Sequence, residues 1–152
     1  MNYKKITIAG SGVLGSQIAF QTAFHGFEVN VYDIHDGAIT AAKERMNNLK
    51  GIYANFFHDE VRAEQAFKSL NYYTDLGQAV ADADLVIEAV PERIEIKQSF
   101  YNDLAKVASE KTVFASNSST LLPSQFAEFT GRPEKFLALH FANSIWEKIL
   151  PK

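Results

Sequence analysis

Cysteine is absent from the 152 residues of this chain. Disulfides, a thiol nucleophile and a thiolate metal site are therefore excluded, and we predict no metal site of another kind. The chain also lacks a basic cluster and any apolar run near the ~18 residues that a membrane-spanning helix needs. Its net charge of −3 gives no electrostatic attraction to nucleic acid or to an anionic membrane surface. We expect neither partner, and a first strand that leaves no room for a signal peptide favours a cytoplasmic protein.

A glycine-rich segment is the most informative feature that the chain does contain. Gly10-Ser-Gly12-Val-Leu-Gly15 follows the apolar run Ile6–Ala9 and precedes a helical pattern, and Asp33 closes the next apolar run. This context is typical of a dinucleotide site, in which a pyrophosphate lies at the helix N-terminus. Asp33 would accept hydrogen bonds from the adenosine ribose and repel a 2′-phosphate, which favours NAD over NADP. The alternative is an ordinary glycine turn with Asp33 as a solvated strand end.

Strand-like runs alternate with helical patterns along the whole chain, which predicts one α/β domain over residues 1–152. We expect a doubly wound, mostly parallel sheet of the Rossmann type with the strand order 3-2-1-4-5-6. A helical hairpin is inserted after the second strand. Its first helix begins near Asp36 and has Gly51 as a plausible stop, and Asp59 is the N-cap of its second helix.

Two further helices are predicted in the second half of the chain. Pro91 opens a long helix, and another starts near Pro123 after a polar turn. The apolar stripe of the long helix is expected to face inward at Ile96, Phe100, Leu104 and Val107.

The carboxyl ends of the parallel strands should bring five polar or glycine-rich clusters to one edge of the sheet. These clusters are residues 10–15, Asp33, residues 89–92, residues 116–119 and residues 140–143. Residues 116–119 could equally be a strand-to-helix turn whose Ser and Asn side chains cap the next helix. His140 could be a satisfied core histidine, and His25, His35 and His58 are interpreted as surface residues.

Taken together, these motifs resemble the NAD-binding domain of 3-hydroxyacyl-CoA dehydrogenases over essentially the whole chain. The resemblance is carried by Gly10–Gly15, Asp33, Ile87-Glu-Ala-Val-Pro-Glu92, Ser116-Asn-Ser-Ser119 and Leu139-His-Phe-Ala-Asn143. It implies oxidation of a 3-hydroxyacyl-CoA to the 3-ketoacyl-CoA, with hydride transfer to NAD.

The resemblance also implies roles for individual residues. His140 is the general base, a role that suits a neutral imidazole near pH 7. Ser119 holds the 3-oxygen of the acyl group and Asn143 lines the same site. The residues that we assign to the cofactor are Gly10, Gly12, Val13, Leu14, Gly15, Asp33, Ile34, Ala89, Val90, Glu92, Lys97 and Asn117.

The C-terminal end departs from the family pattern. The family orients its histidine with a glutamate about a dozen residues later, an offset that falls on Lys152, and Glu147 does not match that spacing. We also expect that the family's second, helical domain is absent. We expect that Ile145, Trp146, Ile149 and Leu150 form an apolar stripe that either docks back on the domain or joins two copies in a homo-oligomer.

Three functions stay open at this point. The first is a dehydrogenase represented by its cofactor domain, either as a fragment with weak or no turnover or as a complete small protein that self-associates. The second is a non-catalytic dinucleotide-binding module. The third is a related dehydrogenase that acts on another hydroxy or sugar acid.

Overall fold

The computed structural model describes residues 2–148, and its centre is a six-stranded sheet. All neighbouring strands are parallel, in the order β3-β2-β1-β4-β5-β6. The strands are β1 (Lys5–Ala9), β2 (Glu28–Tyr32), β3 (Asn71–Tyr73), β4 (Leu85–Glu88), β5 (Val113–Ser116) and β6 (Phe136–Ala138). The predicted fold class and strand order are confirmed. Reversal of the strand order beside β1 leaves a crevice at the carboxyl edge of the sheet, where ligands bind in such folds.

Helices cover both faces of the sheet. They are α1 (Val13–Phe24), α2 (Asp36–Phe57), α3 (Glu60–Ser69), α4 (Leu76–Val80), α5 (Ile94–Val107) and α6 (Ile145–Lys148). One hydrophobic core lies under α1, α2 and α3, and a second lies under α4 and α5. The strands β1, β4 and β5 are buried almost throughout, because helices on both faces exclude water from them.

The helical hairpin is present, but its first helix is longer than predicted. Gly51 does not end α2, which continues for two more turns to Phe57 and closes at His58, whose φ is 53°. Glycine inside a helix costs only about 0.5–1 kcal/mol relative to alanine, and the buried Tyr53 beyond it favours continuation. Asp59 caps α3 as predicted, because its side chain accepts a hydrogen bond from the Arg62 N–H.

The long helix α5 differs from the prediction in its start and in its buried face. Pro91 lies outside the helix, which begins three residues later. Ile96 and Val107 are 37% and 44% exposed, so their predicted inward orientation is wrong. The buried face consists of Lys97, Phe100, Tyr101 and Leu104. A buried lysine shifts the stripe by one position, which apolar periodicity alone would not predict.

After β5, the predicted helix near Pro123 is replaced by three short 3-10 turns. They span Pro123–Gln125, Ala127–Thr130 and Pro133–Lys135. Proline lacks a backbone N–H and therefore favours such short turns over a continuous helix.

The last described helix folds back on the domain. Ile145 is 3% exposed and joins the core under α1 and α2. The Trp146 ring lies 5.8 Å from the Tyr53 ring, measured between centroids. This part of the predicted apolar stripe is therefore covered by the chain itself, whereas Ile149 and Leu150 lie outside the described residues. Over residues 2–148, the structure contains no helix whose length and apolar character would let it span a bilayer.

Candidate functional site

The glycine segment forms the turn between β1 and α1. Gly10 has a φ of +99°, and a Cβ there would overlap the Ala89 carbonyl. A Cβ on Gly15 would overlap the carbonyl of Gly10. Both positions therefore require glycine: the first for its left-handed backbone and close approach, the second for close approach alone.

Gly12 and the start of α1 leave an open, electropositive surface. A Cβ on Gly12 would meet no atom within 4 Å. Gly12 is the N-cap of α1 and offers no side-chain cap, and the first turn of α1 contains no acidic residue. The unpaired N–H groups and the helix dipole are thus free to attract an anion.

Asp33 lies beside this turn, at the end of β2, where two donors of Ser11 hold its carboxylate. Asp33 Oδ2 accepts from the Ser11 N–H at 2.9 Å and from the Ser11 hydroxyl at 2.5 Å. Asp33 Oδ1 accepts from the Ile34 N–H at 2.7 Å. Ser11 did not enter the sequence-based assignment, because the second position of a GxGxxG motif has no fixed chemistry.

A cleft of ≈ 680 Å³ opens between the glycine turn, Asp33 and α5. Its walls include six residues assigned from the sequence: Gly10, Gly12, Asp33, Ile34, Ala89 and Val90. Other wall residues did not follow from the sequence motifs, namely Tyr32, Leu76, Glu95, Ser99, Phe100 and Asp103. They come from the ends of β2 and from α4 and α5, so only the fold brings them to the cleft.

Other assigned residues lie apart from this cleft. Val13 is 60% exposed on the first turn of α1, while Leu14 packs against the core. Gly15 lies inside the turn. A second cleft of ≈ 720 Å³ lies where β2 and β3 begin, away from the carboxyl edge, and no assigned site residue lines it.

A buried polar network joins β4, α5 and β5. Lys97 and Glu88 are 2% and 0% exposed, and Lys97 Nζ lies 2.6 Å from Glu88 Oε2. The other oxygen of Glu88 accepts from Ser116 Oγ at 2.7 Å and from Tyr101 OH at 3.1 Å. Burial and the charge of Glu88 raise the pKa of Tyr101 well above its usual value.

The Lys97 ammonium contacts two further protein groups. Besides Glu88, it donates to the Val90 carbonyl at 3.3 Å and lies 3.4 Å from Glu92 Oε1. Two of these contacts are hydrogen bonds, to Glu88 and to the Val90 carbonyl, and the contact with Glu92 is an ion pair. Lys97 therefore orients the Glu92 carboxylate and the Val90 carbonyl. An acidic residue in an apolar strand, with a lysine nine positions later, was the available signal for this pair.

Glu92 links this network to the serine segment. It accepts from Ser118 Oγ at 2.5 Å, from the Ser119 N–H at 3.0 Å and from Ser119 Oγ at 3.3 Å. Burial opposes ionisation of this carboxyl, but the bonds from Ser118 and Ser119 and the Lys97 charge outweigh it. They lower the pKa of Glu92 to about 2. Glu92 and Ser119, assigned to different partners from the sequence, are thus direct neighbours.

His140 follows β6 at the same edge of the sheet. The backbone is fixed on both sides of it: the Leu139 N–H donates to the Ser116 carbonyl at 2.9 Å, and the Phe141 N–H donates to Asn117 Oδ1 at 2.7 Å. The imidazole itself is exposed. No hydrogen bond or ion pair joins it to another of the residues from 2 to 148.

The chain bends at Asn143 and Ser144. Asn143 is exposed, and Ser144 has a left-handed φ of 58°. The Ser144 N–H donates to Gln17 Oε1 at 2.9 Å, which ties this turn to α1. Lys152, at the offset of the family's orienting glutamate, lies outside the described residues.

Parallel pairing brings the five sequence clusters to one edge. The glycine turn and Asp33 lie on one side of β4, and residues 116–119 and 140–143 lie on the other. Residues 89–92 connect the two sides. This arrangement can hold a nucleotide over β1 and β2 while a hydroxyl or carbonyl compound approaches the end of β6.

Comparison with known proteins agrees with this arrangement. Residues 5–148 match the family model described as 3-hydroxyacyl-CoA dehydrogenase, NAD binding domain. The chain is 35% identical to 3-hydroxyadipyl-CoA dehydrogenase of Escherichia coli K12, over 94% of this chain and 30% of that protein. It is 33% identical to a probable 3-hydroxybutyryl-CoA dehydrogenase of Bacillus subtilis, over 95% of this chain and 50% of that protein.

Among solved structures, a diketoreductase described as acting on dicarbonyl compounds is 52% identical and superposes with a TM-score of 0.94. That match covers 96% of this chain and 52% of the diketoreductase chain. The chain thus spans from about 30% to about half of the length of these relatives. It belongs to the family of NAD-binding domains of 3-hydroxyacyl-CoA dehydrogenases.

Proposed function

We propose that this chain binds NAD in the cleft beside the glycine turn. The observation that carries the proposal is the uncapped N-terminus of α1, which opens beside Gly12 with no acidic residue in its first turn. The pyrophosphate would lie there, and Asp33 would receive a ribose hydroxyl. Ile34, Ala89, Val90 and Ile96 supply the apolar walls that an adenine ring needs.

Within the whole enzyme, we propose that this domain contributes to the oxidation of a 3-hydroxyacyl-CoA, or to the reverse reduction. Bound NAD would supply the hydride acceptor. His140 would take the hydroxyl proton, and an exposed imidazole at the end of β6 is accessible for that step. Ser119 and Asn143 would hold the substrate oxygen in position. Glu92 would fix Ser119 through its hydrogen bonds.

A second substrate class is favoured by one observation. The diketoreductase is the more similar of the relatives described above, at 52% identity. A small dicarbonyl compound, reduced to a hydroxycarbonyl compound, is therefore the second candidate substrate. It needs the same base and the same positioned oxygen, but no site for the coenzyme A nucleotide.

The experiment compares both substrates on the same chain. NADH is mixed with the purified protein and either acetoacetyl-CoA or acetylacetone, and NADH absorbance is followed over time. Consumption with acetoacetyl-CoA that disappears in His140→Ala would support the acyl-CoA function. Consumption with acetylacetone alone would support the dicarbonyl function. If the chain binds NADH but consumes it with neither substrate, the function of the isolated chain is cofactor binding alone.

A further inference from the structure

Ser11 is the one polar side chain of the glycine turn that the proposed function leaves without a role. It is 1% exposed, and every polar atom that it carries has a partner. Its N–H and hydroxyl both donate to Asp33 Oδ2. Its carbonyl accepts from Ser16 Oγ at 2.9 Å and from Arg45 Nη1 at 3.1 Å. The residue is therefore fixed from α1, from α2 and from the end of β2.

We propose that Ser11 is the positioning residue that gives Asp33 its power to discriminate between NAD and NADP. The proposal rests on the proposed NAD site and on the contact of Asp33 with the ribose. Ser11 acts through Asp33, since its hydroxyl is buried beneath the carboxylate.

Most acceptor positions of the Asp33 carboxylate are already occupied. An ionised carboxylate has about four lone-pair positions, two on each oxygen. Ser11 occupies both positions on Oδ2, and the Ile34 N–H occupies one on Oδ1. One position on Oδ1 remains, which suits a single ribose hydroxyl.

The two hydrogen bonds to Oδ2 also determine how strongly Asp33 repels a 2′-phosphate. A free aspartate side chain could rotate toward solvent and relieve the repulsion between two negative charges. Two donors hold Oδ2, so this rotation would break a hydrogen bond to a charged carboxylate. Hydrogen bonds to charged groups are among the stronger hydrogen bonds in proteins. The carboxylate therefore stays in place, and the 2′-phosphate is rejected.

The test measures the affinities of NAD and NADP by isothermal titration calorimetry on the full chain. For Ser11→Ala we expect the ratio of the NAD and NADP affinities to fall by about tenfold, since one charge-assisted hydrogen bond is lost. Ser16→Ala is the matched control. It removes a buried hydroxyl of α1 that donates to the Ser11 carbonyl and makes no hydrogen bond to Asp33, so it loosens the backbone of Ser11 but leaves the Ser11 hydroxyl in place.

A double-mutant comparison separates positioning from general loosening of the turn. In an Asp33→Asn background, Ser11→Ala should leave the affinity ratio unchanged, because there is no charged carboxylate left to hold. The proposal is overturned if Ser11→Ala keeps the wild-type ratio, or if Ser16→Ala changes the ratio equally. Absence of NAD binding by the folded wild-type chain would instead contradict the proposed function.

Discussion

The carboxyl edge of the sheet has two halves that differ in how their functional side chains are held. We name them after their proposed roles: the cofactor half comprises residues 10–15, Asp33 and residues 89–92, and the catalytic half comprises residues 116–119 and 139–144. In the cofactor half, Asp33 and the glycine turn are fixed by hydrogen bonds and close approach. In the catalytic half, the backbone around His140 is fixed, but its imidazole is exposed and has no polar partner among residues 2–148.

Recognition of a cofactor and orientation of a catalytic base therefore have different structural requirements. The proposed NAD site uses backbone N–H groups, glycine geometry and one carboxylate, all supplied by neighbouring elements. A catalytic imidazole also needs a group that fixes its tautomer, and loss of such a group costs on the order of 10⁴ in rate in catalytic triads. Residues 2–148 contain all the features of the proposed NAD site. For the imidazole of His140, they fix only the neighbouring backbone.

The largest loss of stability is expected at the buried pair Glu88 and Lys97, which joins the two halves. Lys97→Met should lower the free energy of unfolding by about 3–5 kcal/mol, because it leaves a buried carboxylate without its cation. Urea unfolding monitored by circular dichroism measures this change. The control is Lys111→Met, which breaks an exposed ion pair with Asp84 and should cost at most about 1 kcal/mol. Equal losses in the two variants would show that the buried pair does not stabilise the junction.

The next effect tests the geometry of the cofactor half. Gly10→Ala should destabilise the chain by about 2–4 kcal/mol, because it adds a Cβ against the Ala89 carbonyl at a positive φ. Gly51→Ala is the opposite case, since α2 passes through Gly51 with open space around it. It should stabilise the chain by about 0.5–1 kcal/mol. Thermal unfolding distinguishes them, and a neutral Gly10→Ala would contradict the described turn.

A smaller effect tests the backbone of the catalytic half. Asn117→Ala removes the acceptor of the Phe141 N–H, which should cost about 1–3 kcal/mol and remove the protection of that amide from hydrogen exchange. Gln17→Ala should expose the Ser144 amide and leave Phe141 protected. Unchanged exchange at Phe141 in Asn117→Ala would mean that Asn117 does not hold the segment next to His140.

The smallest effect concerns Glu92, where the two halves meet. Its pKa is lowered from 4.5 to about 2, so its contribution to stability is present above pH 4.5 and is lost as the pH falls toward 2. In Glu92→Gln this contribution is absent at every pH. The difference in stability between wild type and Glu92→Gln should therefore shrink between pH 5 and pH 2.5. A constant difference over that range would contradict the depressed pKa.

The sequence predicted the sheet, the strand order and the glycine turn because these depend on local patterns. Apolar runs, N-caps such as Asp59 and the GxGxxG spacing each act within a few residues. The prediction was wrong where contacts between residues far apart in the sequence determine which side chain is buried or where a helix ends. Lys97 faces inward only because Glu88, on another element, can pair with it, and α2 passes Gly51 because Tyr53 is buried beyond it.

The candidate site shows the same division. Asp33 and the glycines followed from spacing, whereas Ser11 and the contact between Glu92 and Ser119 did not. Hydrogen bonds between side chains from different elements depend on the final placement of those elements. Residue types alone did not reveal that Glu92 is a neighbour of Ser119 as well as a candidate for the cofactor.

Titration of the chain with NAD tests most directly whether the cofactor half is complete by itself. Isothermal titration calorimetry should show one NAD bound per chain, with the same affinity in His140→Ala and a clearly weaker affinity in Asp33→Ala. If the folded wild-type chain does not bind NAD, or if wild type and Asp33→Ala bind it with equal affinity, the claim that the cofactor half is complete by itself is contradicted.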